Sequence, residues 1–143
     1  MKIAIGSDHA GFALKSTLLE WLISQGHEVH DVGTSSLERT DYPQYGAAVA
    51  RRVVAGDDDF GVVVCGSGQG ICMAVNKVPG ARGGVIRDEM DARMTRQHNN
   101  ANVACFGERV TDPSAAIEAL AVFLSTEFEG GRHGVRVEQL DGM

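Results

Sequence analysis

The segment Val62-Val63-Val64-Cys65-Gly66-Ser67-Gly68-Gln69-Gly70-Ile71 constrains the fold more than any other stretch of this chain. A short β-branched run reads as a strand buried on both faces, the kind found in parallel sheets. It passes straight into a thiol, a glycine loop and a helix. Glycines let the backbone approach a ligand closely and turn several N–H groups toward one point. Such a cup suits a phosphate or an oxyanion that develops during a reaction. No Gly-Lys-Ser/Thr follows it, and Ile71 stands where a dinucleotide fingerprint needs its third glycine, so neither nucleotide motif is present. A tight turn packed with small residues is the plainer reading. Three glycines and a serine within five residues exceed what such a turn requires.

Strands and helices alternate around this segment. Ile3 to Ser7 reads as a strand, followed by a helix with Leu14, Leu18 and Leu22 on one face and Gly26 as its stop. Glu28 to Val32 is a second strand, and Pro43 opens a helix that buries Ala50, Val53 and Val54. Ala81 to Ile86 makes a fourth strand weakened by Gly83 and Gly84, Asp88 to Gln97 a helix, and Asn102 to Phe106 a fifth strand. Asp112-Pro113 opens a helix carrying Ile117, Leu120 and Leu124, and the tail after Gly130-Gly131 holds one short helix. This alternation implies one domain over residues 1–143: a Rossmann-like three-layer α/β/α sandwich with a five-stranded parallel sheet.

Ligands of such sheets bind at the carboxyl ends of the strands. Asp8 and His9 follow strand one, Asp41 the second, Cys65 to Gly70 the third, Arg87 and Asp88 the fourth, and Glu108 and Arg109 the fifth. Their shared edge is the physical argument for a site. Cys65 beside a helix N-terminus, which stabilises a thiolate, reads as a base or nucleophile; the plain alternative is a buried small hydrophobe, as for Cys72 and Cys105. Asp8 and Asp41 read as helix caps whose carboxylates can also touch a ligand. His98 is either a cation at a helix C-terminus or a proton shuttle. Arg132 and Arg136, one helical turn apart, are solvated or grip one dianion together, and the glycine pair before them suggests a tail that swings onto another surface, such as a neighbouring subunit.

A net charge of −6 argues against nucleic acid or anionic membrane as a partner. No apolar run approaches the roughly 20 residues of a membrane span. Three cysteines without a CxxC pair fit free thiols in a reducing cytoplasm. No His/Cys/Asp spacing matches a known ligand pattern, so no metal is expected.

Six segments, in order along nearly the whole chain, carry a family resemblance. They are Gly6-Ser7-Asp8-His9-Ala10-Gly11-Phe12, Glu38-Arg39-Thr40-Asp41-Tyr42-Pro43, Cys65-Gly66-Ser67-Gly68-Gln69-Gly70-Ile71, Arg96-Gln97-His98-Asn99, Phe106-Gly107-Glu108-Arg109 and Glu129-Gly130-Gly131-Arg132-His133. Together they resemble the type B ribose-5-phosphate isomerases, within the sugar-phosphate isomerases that include the galactose-6-phosphate isomerase subunits. The resemblance implies cofactor-free interconversion of an aldose and a ketose phosphate, in homodimers or dimers of dimers with sites shared between subunits. By position it makes Cys65 the base at C2 and C1, with Ser67 and the amides from Gly66 through Gly68 to Gly70 holding the enediolate. It makes His98 the ring opener, Asp8 an orienter of hydroxyls, Asn99 a ligand of the open chain, and His9, Arg109, Arg132 and Arg136 the phosphate grip. Family members of the thiol type carry threonine where this chain has Ser67, which keeps the hydroxyl but loses a rotamer-restricting methyl. A second branch uses glutamate where Ile71 stands, and an isoleucine transfers no proton, so the chain resembles the thiol branch. Competing readings are an isomerase of allose 6-phosphate, galactose 6-phosphate or a four-carbon phosphate, a non-catalytic phosphosugar-binding module, and, more weakly, a thiol redox protein.

Overall fold

A computed structural model describes all 143 residues. Five strands, β1 (Lys2–Ser7), β2 (Glu28–Asp31), β3 (Phe60–Cys65), β4 (Gly83–Val85) and β5 (Val103–Gly107), form one sheet in the order β2-β1-β3-β5-β4. Every neighbouring pair is parallel. The helices are α1 (Phe12–Ser24), α2 (Tyr42–Val54), α3 (Gln69–Asn76), α4 (Glu89–Asn99), α5 (Pro113–Ser125) and α6 (Arg132–Asp141), with one 3-10 turn at His9–Gly11. The expected Rossmann-like α/β/α sandwich with a C-terminal helix is what forms.

Period-two alternation along the strands builds a core on each side. Ile3, Ile5, Val62, Val64, Ala104 and Phe106 face Leu14, Leu18 and Leu22 of α1 and Ala116, Leu120 and Phe123 of α5. Ala4, Val63, Cys65, Val103 and Cys105 face Val49, Ala50 and Val53 of α2 and Ile71, Cys72 and Val75 of α3. Steps toward the β2 edge use helices on the α1 side and steps toward the β4 edge use α2 and α3, so all crossovers share one hand, as parallel βαβ units require. The chain leaves β1 toward one edge and β3 toward the other. Their carboxyl ends therefore flank an open crevice, the topological switch point.

Differences from the sequence reading concern lengths, the tail, and Val54, which is exposed on α2 rather than buried with Ala50 and Val53. β4 is only three residues, as its glycines suggested, and its outer side is closed by a side chain. Asn76 Oδ1 accepts from Gly83 N–H at 2.8 Å while Asn76 Nδ2 donates to Gly83 O at 3.1 Å. The tail helix α6 spans ten residues and docks on α4 of its own chain rather than swinging free. His133 stacks on His98 with ring centroids 4.4 Å apart, Glu129 N–H donates to Gln97 O, and Arg82 pairs with Asp141 at 2.8 Å. No helix is long and apolar enough to cross a membrane.

Two buried ionic knots pin the β2 side. Lys15 on α1, 1 % exposed, donates to both oxygens of Asp31 at 2.8 and 2.9 Å and to Thr34 O, tying the loop after β2 to the first helix. The fully buried Asp58 carboxylate accepts from His30 Nδ1 and from Arg52 Nε at 2.6 Å, fastening α2 to the sheet. Arg52→Met keeps the stem but leaves that buried carboxylate with His30 alone, so a loss of about 3 kcal/mol is expected. The check is the urea midpoint at unchanged slope, and a loss under about 1 kcal/mol would mean that Asp58 does not need Arg52.

Candidate active site

The crevice at the β1/β3 switch point is an open pocket of about 380 Å³ lined by Asp8, His9, Ala10, Tyr42, Cys65, Gly66, Ser67, Gly70 and Arg109. Its floor is the turn after β3. Glu108 N–H donates to Cys65 O at 2.9 Å and Arg109 N–H to Gly66 O at 3.0 Å, so the carbonyls of the turn are taken by the loop after β5. Gly68 N–H donates to Cys65 Sγ at 3.2 Å and Gln69 N–H to Ser67 Oγ at 3.2 Å. The amides of Gly66, Ser67, Gly70 and Ile71 find no acceptor in the chain. They surround the start of α3, whose dipole adds positive potential at the same place. An anion placed there meets donors that are already oriented.

Two glycines make this shape possible. Gly68 has φ +80°, and a methyl on it would lie 2.9 Å from Phe106 C. A methyl on Gly107 would lie 2.5 Å from Ser67 C, so β5 and the turn meet backbone to backbone. Above the floor, the Arg109 guanidinium reaches within 3.1 Å of where a Gly66 methyl would sit, and the Tyr42 ring covers Gly70 with Cζ 2.5 Å from the equivalent point.

The remaining residues of the pocket are held from below. Asp8 caps the 3-10 turn by accepting from Gly11 N–H at 3.1 Å and lines the pocket. His9 Nδ1 lies 3.1 Å from Thr40 O and 3.2 Å from Thr40 N, which fixes its ring and leaves Nε2 available. Glu108 turns away to accept from Leu14 N–H at 2.8 Å, capping α1. Arg87 pairs with Asp91, and Asp88 caps α4, so neither contributes to the pocket. Asp41 occupies the N-cap position of α2 but makes no side-chain cap bond, against the capping role expected of it. Cys72 and Cys105 are buried under the site in the α2/α3 core. Burial pushes the Cys105 thiol well up in pKa, while the hydrogen bond from Cys105 holds Cys72 down.

Sequence reasoning overlooked Tyr42 as a lining residue, although Pro43 at N1 of α2 signals that residue 42 starts a helix on this edge. The larger difference is where His98, Asn99, Arg132 and Arg136 lie. Helix α4 starts at the carboxyl edge and runs back to the beginning of β5, so His98 and Asn99 end beside the start of β4, where Arg82 donates to Asn100 O and Asn102 N–H to Arg82 O. Arg132 and Arg136 stand exposed on α6 beside them, without a carboxylate partner. Buried Arg96 secures this end by donating to Ala101 O at 2.7 Å, Asn100 Oδ1 at 2.9 Å and Thr126 O at 3.1 Å. One chain therefore presents two separate clusters at opposite ends of the sheet: a thiol with an amide cup, and a His/Asn/Arg group.

The family model described as Ribose/Galactose Isomerase matches residues 3–140. Ribose-5-phosphate isomerase B of Escherichia coli (strain K12) is 45% identical over 97% of this chain and 93% of that protein. Among solved structures, ribose-5-phosphate isomerase B of Clostridium thermocellum superposes with a TM-score of 0.98 at 46% identity, covering 99% of this chain and 96% of that one. The Mycoplasma genitalium ribose-5-phosphate isomerase B, solved with bound ribulose-5-phosphate, gives 0.94 at 38% identity over 99% and 94%.

The positive φ and backbone contact at Gly68 make Gly68→Ala a probe of the turn. It should cost about 2 kcal/mol through left-handed strain and crowding against β5. Thermal or urea unfolding checks this; a variant as stable as the parent would mean that the turn relaxes freely.

Proposed function

The chain belongs to the ribose/galactose isomerase family, and on that premise we propose that its single domain interconverts ribose 5-phosphate and ribulose 5-phosphate by proton transfer between C2 and C1. The observation that carries this reading is the Cys65 sulfur at the mouth of four unsatisfied amides. A proton beside a carbonyl becomes removable when donors hold the oxygen on which charge develops. The Cys65 thiolate, supported by the Gly68 N–H, takes the C2 proton. The C1–C2 double bond forms as charge moves to O1, and the amides of Ser67, Gly70 and Ile71 receive the enediolate with the Ser67 hydroxyl beside them. The thiol then returns its proton to C1 while the hydroxyl proton shifts between O2 and O1. Tyr42 roofs the chain of carbons, and Asp8 and Asp41 take sugar hydroxyls. His9 and Arg109 approach the phosphate from this chain.

Ring opening and the remaining phosphate contacts fall to His98, Asn99, Arg132 and Arg136 of a second copy. The exposure of Asn99, Arg132 and Arg136 beside half-exposed His98, at the far end of the sheet, supports a homodimer in which each site takes one half from each chain. Three unpaired thiols support a reducing, cytoplasmic setting. The family also includes galactose phosphate isomerases, so six-carbon and four-carbon aldose phosphates belong in the same assay.

Turnover of ribose 5-phosphate in metal-free buffer is the direct test. Cys65→Ala should lower kcat by about 10²–10⁴, and an unchanged kcat sinks the base assignment. Arg132→Ala should chiefly raise KM for the phosphorylated sugar; a normal KM refutes the phosphate role. Mixing Cys65→Ala with His98→Ala chains should restore about a quarter of parental activity, because half the dimers are mixed and each carries one intact site. No recovery after subunit exchange would refute the shared site.

A further inference from the structure

Where α4 ends and α6 begins, three metal-binding side chains converge that the sequence keeps apart. Glu129 lies in the loop before α6 and His133 in that helix's first turn, while His98 comes from the end of α4, far upstream, which is why no ligand spacing was legible. One donor atom from each lies within 4.8 Å of the other two, and His98 Nε2 is 3.8 Å from Glu129 Oε1, too long for a hydrogen bond. An independent observation points to a ligand: His133 is only 7 % exposed, and its Nε2 is buried without any hydrogen-bond partner. Buried polar atoms are ordinarily satisfied, so an orphaned imidazole nitrogen beside two other donors marks a place for a cation.

We infer that His98, Glu129 and His133 form an inhibitory binding site for a divalent transition ion of the zinc class, separate from any requirement of the reaction. Two imidazoles and a carboxylate suit zinc, with water in a fourth position. Zinc–ligand distances near 2.1 Å put ligand atoms about 3.4 Å apart, so the cluster must contract by roughly 1.4 Å at its widest. His98 and Glu129 are the side chains free to supply that movement, being 36 % and 49 % exposed, and the His98 ring tilts out of its stack to do so. Arg132 and Arg136 oppose the ion's charge, which favours a moderate, reversible affinity over a permanent structural metal. Occupancy removes His98 from ring opening; this consequence rests on the function proposed above, whereas binding itself does not.

The test is a titration of Zn²⁺ against a competing chromophoric chelator, using metal-stripped parent, Cys65→Ala, Glu129→Gln and His133→Asn proteins. One ion per chain should bind the parent and Cys65→Ala equally, and at least about tenfold more weakly in Glu129→Gln and His133→Asn. Glu129 is half-exposed, so its variant decides the matter even where His133→Asn folds poorly. Parental affinity in Glu129→Gln, or loss of binding in Cys65→Ala, overturns the site. In the kinetic arm, Glu129→Gln should turn over as the parent does without zinc and resist zinc inhibition; inhibition equal to the parent's also overturns it. A chain that lacks turnover altogether fails the proposed function while the binding arm still tests the site.

Discussion

Glu108 N–H and Arg109 N–H occupy the carbonyls of Cys65 and Gly66, and most of the site depends on those two bonds. A strand-to-helix turn has donors and acceptors on both sides, and folding must leave the donors free if an anion is to bind. Here β5 lies beside β3, so its exit loop reaches the acceptors and leaves the amides of Gly66, Ser67, Gly70 and Ile71 free. The left-handed Gly68 then brings its own N–H onto the Cys65 sulfur. Thiol and cup are therefore set by one local geometry, reached through neighbouring strands in a parallel sheet.

The parallel sheet was legible because its signals are local: the valine run before Cys65, leucines at helical spacing in α1, prolines at the first turns of α2 and α5. The pocket cluster was legible for a related reason, since every residue just after a strand emerges on the same edge. The cluster around His98 follows the opposite rule. In a βαβ unit the end of a helix returns to the amino edge, so His98 at the close of α4 belongs far from Cys65 within one chain. Sequence motifs joined these residues to one site through family resemblance, while the topology separates them into two. The docking of α6 was illegible because it depends on the His98–His133 stack and the Arg82–Asp141 pair, contacts between segments with no shared periodicity. Asp41 shows the limit of local signals too: its position before Tyr42-Pro43 is that of a cap, yet no backbone N–H takes its carboxylate.

Arg96 illustrates how interior chemistry holds a surface cluster in place. Its guanidinium satisfies two oxygens just past the end of α4 and Thr126 O at the end of α5, and lies 5.1 and 5.7 Å from the Phe60 and Phe123 ring centroids, which themselves meet edge to face. Burial lowers its pKa, with the Arg82 charge adding to the effect. The exposed ends of His98 and Asn99 are thus mounted on a rigid, aromatic-backed joint rather than on a free helix terminus.

The Asn76 amide at β4 acts on the outer edge of the sheet as a stand-in peptide group. A primary amide presents one acceptor and two donors, the same face a sixth strand would offer to Gly83. With that place taken, strand addition would first have to evict a side chain and forfeit both of its bonds. The sheet is terminated chemically as well as by its brevity, and two chains meeting at this side must join through helix surfaces, where geometry is set by side-chain shape and not by a backbone ladder that can slip in register.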